Sequence, residues 1–211
     1  MRADLGLIKQ LLQLGLVLMM GISMSACSKT SWKEEVLLHD GSKIIVERAV
    51  SRGGRHEIGQ LPPIEDQTIA FHLDKARKQV TWKSEFSKEF GLAELMPLAI
   101  DIHKGTAYIV AVPAGCRAFN KWGRPNPPYV VFRYDDNGWK RVALVELPIE
   151  LVTPNLIFSS PDEEVNQLGN VSVVSAETVM TVIAGYDQPE YKTILREPVK
   201  GGEGLINCYG K

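Results

Sequence analysis

Histidine and cysteine are scarce in this chain, with four of the first and three of the second among 211 residues. No H-x-x-H or C-x-x-C pair occurs, so the common zinc-ligand spacings are missing. The chain also lacks a G-x-S-x-G or S-x-x-K nucleophile motif and the longer glycine pattern of phosphate-binding loops. Its 24 basic and 25 acidic side chains nearly balance, which gives no indication of nucleic-acid binding. No cofactor, metal or catalytic residue is therefore predicted.

The amino-terminal 26 residues have the order of a secretory signal peptide. Arg2 and Lys9 precede or border an apolar run, Leu11–Ile22, and small residues then lead into Cys27. The run is about a dozen residues long, whereas a membrane-spanning helix needs roughly 20. We therefore predict that residues 1–26 are removed on export rather than retained as a transmembrane helix.

With a cysteine as its first mature residue, the segment resembles a bacterial lipoprotein signal, in which that thiol receives a diacylglyceryl group before cleavage. The resemblance implies that Cys27 is lipidated, and two or more acyl chains hold a protein stably on a bilayer. Ser28 in the following position implies the outer membrane in a Gram-negative host, with the domain facing the periplasm. The alternative is an ordinary secretory signal followed by a chance cysteine.

Residues 27–31 are predicted to be a short tether before Trp32. Four extended residues reach about 13–14 Å. The folded part of the chain is therefore expected to lie close to the membrane surface.

Four longer stretches carry a second resemblance, one that covers most of the mature chain. They are WKEEVLLHDGSKIIVER, SRGGRHEIGQ, NKWGRPNPPYVVF and PEYKTILREPVKG. Together they are similar to a group of uncharacterised proteobacterial lipoproteins. The resemblance implies an envelope location and no assigned activity.

Two cysteines, Cys116 and Cys208, remain after lipidation. An exported protein folds in an oxidising compartment, so a disulfide between them is one expectation. It would close a loop of about 92 residues, worth roughly 4–5 kcal/mol on the chain-entropy model. Two free, buried thiols are the alternative.

Alternation of apolar and polar residues predicts antiparallel hairpins over residues 34–50, 69–82 and 129–145, with a further strand over Thr106–Val112. Ser160-Pro161 and Ser175 predict one or two short peripheral helices after residue 158, and Tyr191–Leu195 is predicted to be a late strand. The sum is a single, mainly β (α+β) domain over residues 32–211, built as an antiparallel meander.

One segment, residues 116–128, is richer in interaction chemistry than the rest and is predicted to be a loop. It holds the cations Arg117, Lys121 and Arg124 beside Trp122, with three prolines that restrict the chain. Trp and Arg are frequent contact anchors. The functional hypothesis is a recognition loop for an acidic or carbohydrate-like ligand or a protein. The structural alternative is that Trp122 packs into the core while the cations pair with acids.

Anchor, tether and missing motifs together predict a membrane-anchored envelope lipoprotein that acts as a non-enzymatic binding module. Its expected partners are the membrane, through the lipid anchor, and another envelope protein or cell-wall material. Two alternatives stay open. One is a small periplasmic hydrolase whose residues meet only in the fold, and the other is a carrier of a small ligand.

Overall fold

The computed structural model describes residues 28–73, 78–84, 86–169 and 171–199. The strands of this part are β1 (Ser28–Leu37), β2 (Lys43–Arg52), β3 (Ile64–His72), β4 (Gln79–Ser84), β5 (Phe86–Ser87), β6 (Leu92–Ala93), β7 (Leu95–His103), β8 (Thr106–Pro113), β9 (Val130–Asp135) and β10 (Gly138–Val142). Its helices are α1 (Gly115–Lys121), α2 (Pro161–Gln167) and α3 (Ala176–Ala184), with single 3₁₀ turns at Leu144–Glu146 and Pro189–Tyr191.

Two four-stranded antiparallel sheets make up most of the described chain. Sheet one has the order β1-β2-β3-β4, and sheet two has the order β10-β9-β8-β7. The small β5–β6 hairpin lies between them in sequence. The predicted mainly β, antiparallel fold is confirmed, and so are the three hairpins, the first of which turns at Asp40-Gly41.

Sheet one is buried on one face only, and that face divides into two halves. Val36, Val46 and Phe71 represent the half that packs against sheet two in the main core. The other half, around Trp32 and Val50, is covered by residues of α2, α3 and the chain before them. The outer face carries charged side chains and exposed aliphatics, which explains the clean alternation of this sheet in the sequence.

In sheet two, β7, β8 and the start of β9 are buried on both faces, whereas β10 is not. In β8, Ala107 and Ile109 face the main core, whereas Tyr108 and Val110 face a second core formed with the chain around Leu147–Phe158 and Ile194. Double burial replaces alternation by a continuous apolar run. For this reason β7 (Leu95–His103) did not stand out in the sequence.

The helices agree in part with the predictions. α2 begins at Pro161 and α3 follows Ser175, whose Oγ accepts a hydrogen bond from the Thr178 N–H at 3.2 Å. The predicted loop over residues 116–128 is wrong at its start, since residues 115–121 form α1. The predicted strand at Tyr191–Leu195 is also wrong, because Tyr191 ends a 3₁₀ turn and the residues after it belong to no strand of the described sheets.

Most of the segment that was predicted to be a tether belongs to a strand. Residues 28–31, assigned above to a tether, are the first residues of β1, and Ser28 pairs with Arg52 of β2. Cys27 and the predicted signal peptide lie outside the described residues. Among the described helices, none combines the length and apolarity that crossing a bilayer requires.

Candidate functional site

Trp122, the centre of the predicted recognition loop, is half-buried directly after α1. Its ring lies edge-on to Phe132 with 6.0 Å between centroids, and its Nε1 donates a hydrogen bond to Glu94 Oε2 at 3.0 Å. The Arg141 guanidinium lies 5.3 Å from the ring centroid. These contacts fix the indole against sheet two, as the structural alternative described.

The three cations of the segment also make contacts within the domain. Lys121 pairs with Glu94 and lies 5.3 Å from the Phe90 ring centroid, which Arg117 approaches to 5.1 Å. Arg124 Nε donates to Asn120 Oδ1 at 2.8 Å. The segment therefore brings its predicted residues together on one surface, where packing already uses their aromatic and cationic groups.

Cys116 lies in α1 and is disulfide-bonded. Its predicted partner, Cys208, lies outside the described residues, so that pairing stays a prediction. The carboxyl-terminal segment does contact the same surface, because the Val199 N–H donates to Asn126 Oδ1 at 2.7 Å.

The richest chemistry lies elsewhere, at a histidine–aspartate pair that sequence analysis missed. His39 Nδ1 lies 2.7 Å from Asp101 Oδ1, and the His39 backbone N–H donates to Asp101 Oδ2 at 2.9 Å. Since a carboxylate only accepts, Nδ1 carries the proton. The hydrogen bond to Asp101 raises the pKa of His39 above its ordinary value of 6.5.

A second histidine and a second carboxylate complete this cluster. The His103 ring lies 5.2 Å from that of His39, and its Nδ1 is 3.9 Å from Glu150 Oε2. A hydrogen bond from its own backbone N–H lowers the pKa of Glu150, and the charge of His103 adds to this effect. Four titratable side chains are thus gathered within one small region.

Three separate elements hold the cluster. His39 follows β1, Asp101 and His103 stand two residues apart on β7, and Glu150 lies in the turn after the first 3₁₀ segment. Asn155 ties the two sheets together here, because its amide donates to the Leu37 and Ile100 carbonyls, both at 2.9 Å. The geometry is therefore set by buried hydrogen bonds rather than by a flexible loop.

The cluster borders a cleft of about 360 Å³ with mixed walls. Its polar lining includes His39, Asp101, Glu150 and Asn155. Its apolar lining is supplied by Leu37, Leu38, Leu151, Val152 and Met180. A small pocket with apolar walls and a few convergent polar groups has the general form of a ligand site.

The chemistry available in the cleft is acid–base and hydrogen bonding. With Nδ1 held by Asp101, the His39 Nε2 makes no hydrogen bond to the described residues and is the nitrogen that can meet a ligand. The hydroxyl in the lining is that of Thr153, which likewise has no described hydrogen bond to His39. Over the described ranges, no group of three His, Cys, Asp or Glu side chains is placed to hold a metal ion.

Two further ion pairs are buried under the helices and serve the fold. Glu34 and Arg48 meet at 2.9 Å with side chains 0% and 1% exposed. Arg52 makes a two-point contact with Asp162, at 2.6 and 2.8 Å. Glu34 and Arg48 lie on neighbouring strands of sheet one and both bind the backbone of Ile157 in the covering chain, whereas Arg52 reaches from β2 to Asp162 of α2. Both pairs therefore join sheet one to the segment that covers it.

Comparison with known proteins returns no similarity: neither a family model, nor a curated protein, nor a solved structure matches this chain. The site is therefore interpreted from its geometry alone.

Proposed function

We propose that this chain is a lipid-anchored envelope protein whose β domain acts as a binding module held against the membrane. The observation that carries the proposal is that β1 begins at Ser28, the residue after the predicted lipidation site. Anchor and folded domain are then joined without a spacer. The signal-like order of residues 1–26 supports the same proposal.

The anchor is tested by changing its sulfur. In cells of a Gram-negative host, Cys27→Ser removes the nucleophile that lipidation requires, so the protein is expected to leave the membrane fraction. Ser28→Ala, which keeps the cysteine, is the matched control and is expected to stay lipidated. Mass spectrometry of the amino-terminal peptide reads the result directly, and an unmodified sulfhydryl in the unaltered protein would contradict the proposal.

The cleft beside His39 is proposed as the ligand site of the module. Protonated His39 offers an Nε2–H donor, Glu150 disfavours an anionic head group, and the remaining walls are largely apolar. The expected ligand is therefore a small molecule with an apolar body and a neutral hydrogen-bond acceptor.

Octanol, octanoate and octylamine test that choice by calorimetry and by the NMR shifts of the His39 ring. Octanol is expected to bind best, and His39→Gln is expected to abolish its binding. His72→Gln changes an exposed histidine at the end of β3 and serves as the control. Binding that is equal for the three probes, or unaffected in His39→Gln, would remove the cleft from the proposal.

A second candidate function, hydrolysis, is favoured by one specific observation. Asp101 holds the His39 ring so that Nε2 points away from the carboxylate, and such a ring can take a proton from a water that attacks a carbonyl. The test is turnover of p-nitrophenyl butyrate. If the protein is a hydrolase, His39→Gln should lower the turnover rate about 10²–10⁴-fold, and His72→Gln should leave the rate unchanged. No turnover by the unaltered protein would exclude this ester activity.

A further inference from the structure

The loop that joins β2 to β3, residues 53–63, extends from the same end of sheet one at which the chain enters. Ser28 of β1 pairs with Arg52 of β2, and Arg52 pairs with Ile64 of β3. Cys27 is covalently bonded to Ser28. The predicted lipid anchor and this loop therefore belong to one end of the sheet.

The base of the loop is firmly held. The Gly53 N–H donates to the Pro63 carbonyl at 3.1 Å, and Arg52 Nη1 donates to the Pro62 carbonyl at 2.9 Å. Arg52 is itself fixed by its buried contact with Asp162. The direction in which the loop leaves the domain is thus set by the fold.

The tip of the loop presents an isoleucine outward. Residues 54–61 are all exposed, and the Gln60 N–H donates to the Glu57 carbonyl at 3.1 Å to close a tight turn. Gly59 adopts φ +85° at the third position of that turn, a value that favours glycine. Ile58 at the second position is fully exposed, with a relative accessibility of 106%.

Other side chains extend this apolar end. Leu61 is 51% exposed and Phe86, whose backbone N–H donates to Asp66 of β3, is 40% exposed. Exposed Lys29 and Arg55 flank them, and the exposed carboxylate of Glu57 precedes Ile58 in the turn. Aliphatic and aromatic groups with flanking cations are the composition of surfaces that rest in the interfacial region of a bilayer.

We infer that this end of sheet one is a membrane-contact surface and that the loop tip at Ile58 enters the interfacial region of the bilayer that holds the anchor. The inference rests on the proposed lipidation of Cys27. Two independent attachments, one covalent and one through the loop, would fix the orientation of the domain on the membrane and not merely its proximity.

The test uses the full-length protein purified from membranes and reconstituted in vesicles of phosphatidylethanolamine and phosphatidylglycerol. Ile58→Trp reports on the loop tip. Ile45→Trp is the matched control, since Ile45 is also exposed (45%) but lies seven residues before Arg52 on β2, about 24 Å away at about 3.4 Å per residue. Unaltered protein corrects for the four native tryptophans.

Lipids brominated near the top of the acyl chain quench tryptophans that reach the interfacial region. The expected result is a blue shift and a loss of emission for Ile58→Trp, with neither change for Ile45→Trp. Equal quenching of both variants, or quenching of neither in acylated protein, overturns the membrane-contact surface alone. Mass spectrometry of the same preparation separates the two proposals, because an unmodified Cys27 overturns the anchor and this inference together.

Discussion

The buried pair of Glu34 and Arg48 gives the sharpest test of how the domain is held together. Both side chains are essentially inaccessible, and their closest atoms lie 2.9 Å apart. Glu34 also accepts hydrogen bonds from the Trp32 indole N–H at 3.0 Å and from the Ile157 N–H at 3.1 Å. Arg48 in turn donates to the Ile157 carbonyl at 2.6 Å.

Replacing one partner leaves the other charge buried and unpaired. Such a loss typically costs about 3–5 kcal/mol, and each buried donor left without an acceptor adds about 1–3 kcal/mol. Glu34→Leu is therefore expected to destabilise the domain by at least about 4 kcal/mol. Glu34→Gln retains one acceptor oxygen for the Ile157 N–H and is expected to lose less stability. Its free energy of unfolding can still be measured if Glu34→Leu does not fold.

The double variant Glu34→Leu with Arg48→Met removes both charges. The Trp32 indole N–H and the Ile157 N–H and carbonyl then lose partners, but no charge is left buried and unpaired. The double variant should therefore be more stable than the sum of the single effects by about 2–3 kcal/mol. Lys33 and Glu47 offer a control from the same two strands, since they are direct cross-strand partners at 3.6 Å but 54% and 58% exposed. Their coupling is expected to stay below about 0.5 kcal/mol.

Urea unfolding followed by far-ultraviolet circular dichroism measures all of these free energies without relying on Trp32, which touches the pair. The reasoning is refuted if Glu34→Leu lies within about 1 kcal/mol of the unaltered protein. It is equally refuted if the buried and exposed pairs show the same coupling energy.

Three further predictions concern a titration, a helix cap and the packed indole. Folding raises the pKa of His39, so the protonated His39–Asp101 pair contributes to the free energy of unfolding. This contribution should be fully present below pH 6.5, the ordinary pKa of histidine, and should be lost as the pH rises through the raised pKa. Asp101→Asn should make the free energy of unfolding less dependent on pH. Ser175→Ala should destabilise α3 by about 1 kcal/mol, read as a lower urea midpoint with an unchanged slope. Trp122→Phe keeps an aromatic ring but leaves Glu94 without one donor, so a cost of about 1–2 kcal/mol is expected, and no loss would contradict a packing role.

The sequence alone was enough to predict strands that have one buried and one solvent-exposed face. The alternation of sheet one follows from one buried and one exposed face. The hairpin turn at Asp40-Gly41, the proline that begins α2 and the Ser175 cap of α3 were readable because their chemistry is local, whereas Ser160 before α2 makes no side-chain cap. The signal peptide over residues 1–26 and the lipidation of Cys27 are also predicted from a linear pattern, and both stay predictions.

Only the tertiary structure showed which titratable side chains lie together in the candidate site. The two residues of β7 that matter, Asp101 and His103, stand in a strand whose double burial hid it, and His39 and Glu150 reach them from distant parts of the chain. The sequence around Trp122 is compatible with a role in ligand binding and with a role in packing. In the structure, the hydrogen bond to Glu94 holds the indole in its packed position. The alternation of apolar and polar residues along a strand shows which face is buried. The approach of distant side chains depends instead on how the sheets pack, and it leaves no local pattern in the sequence.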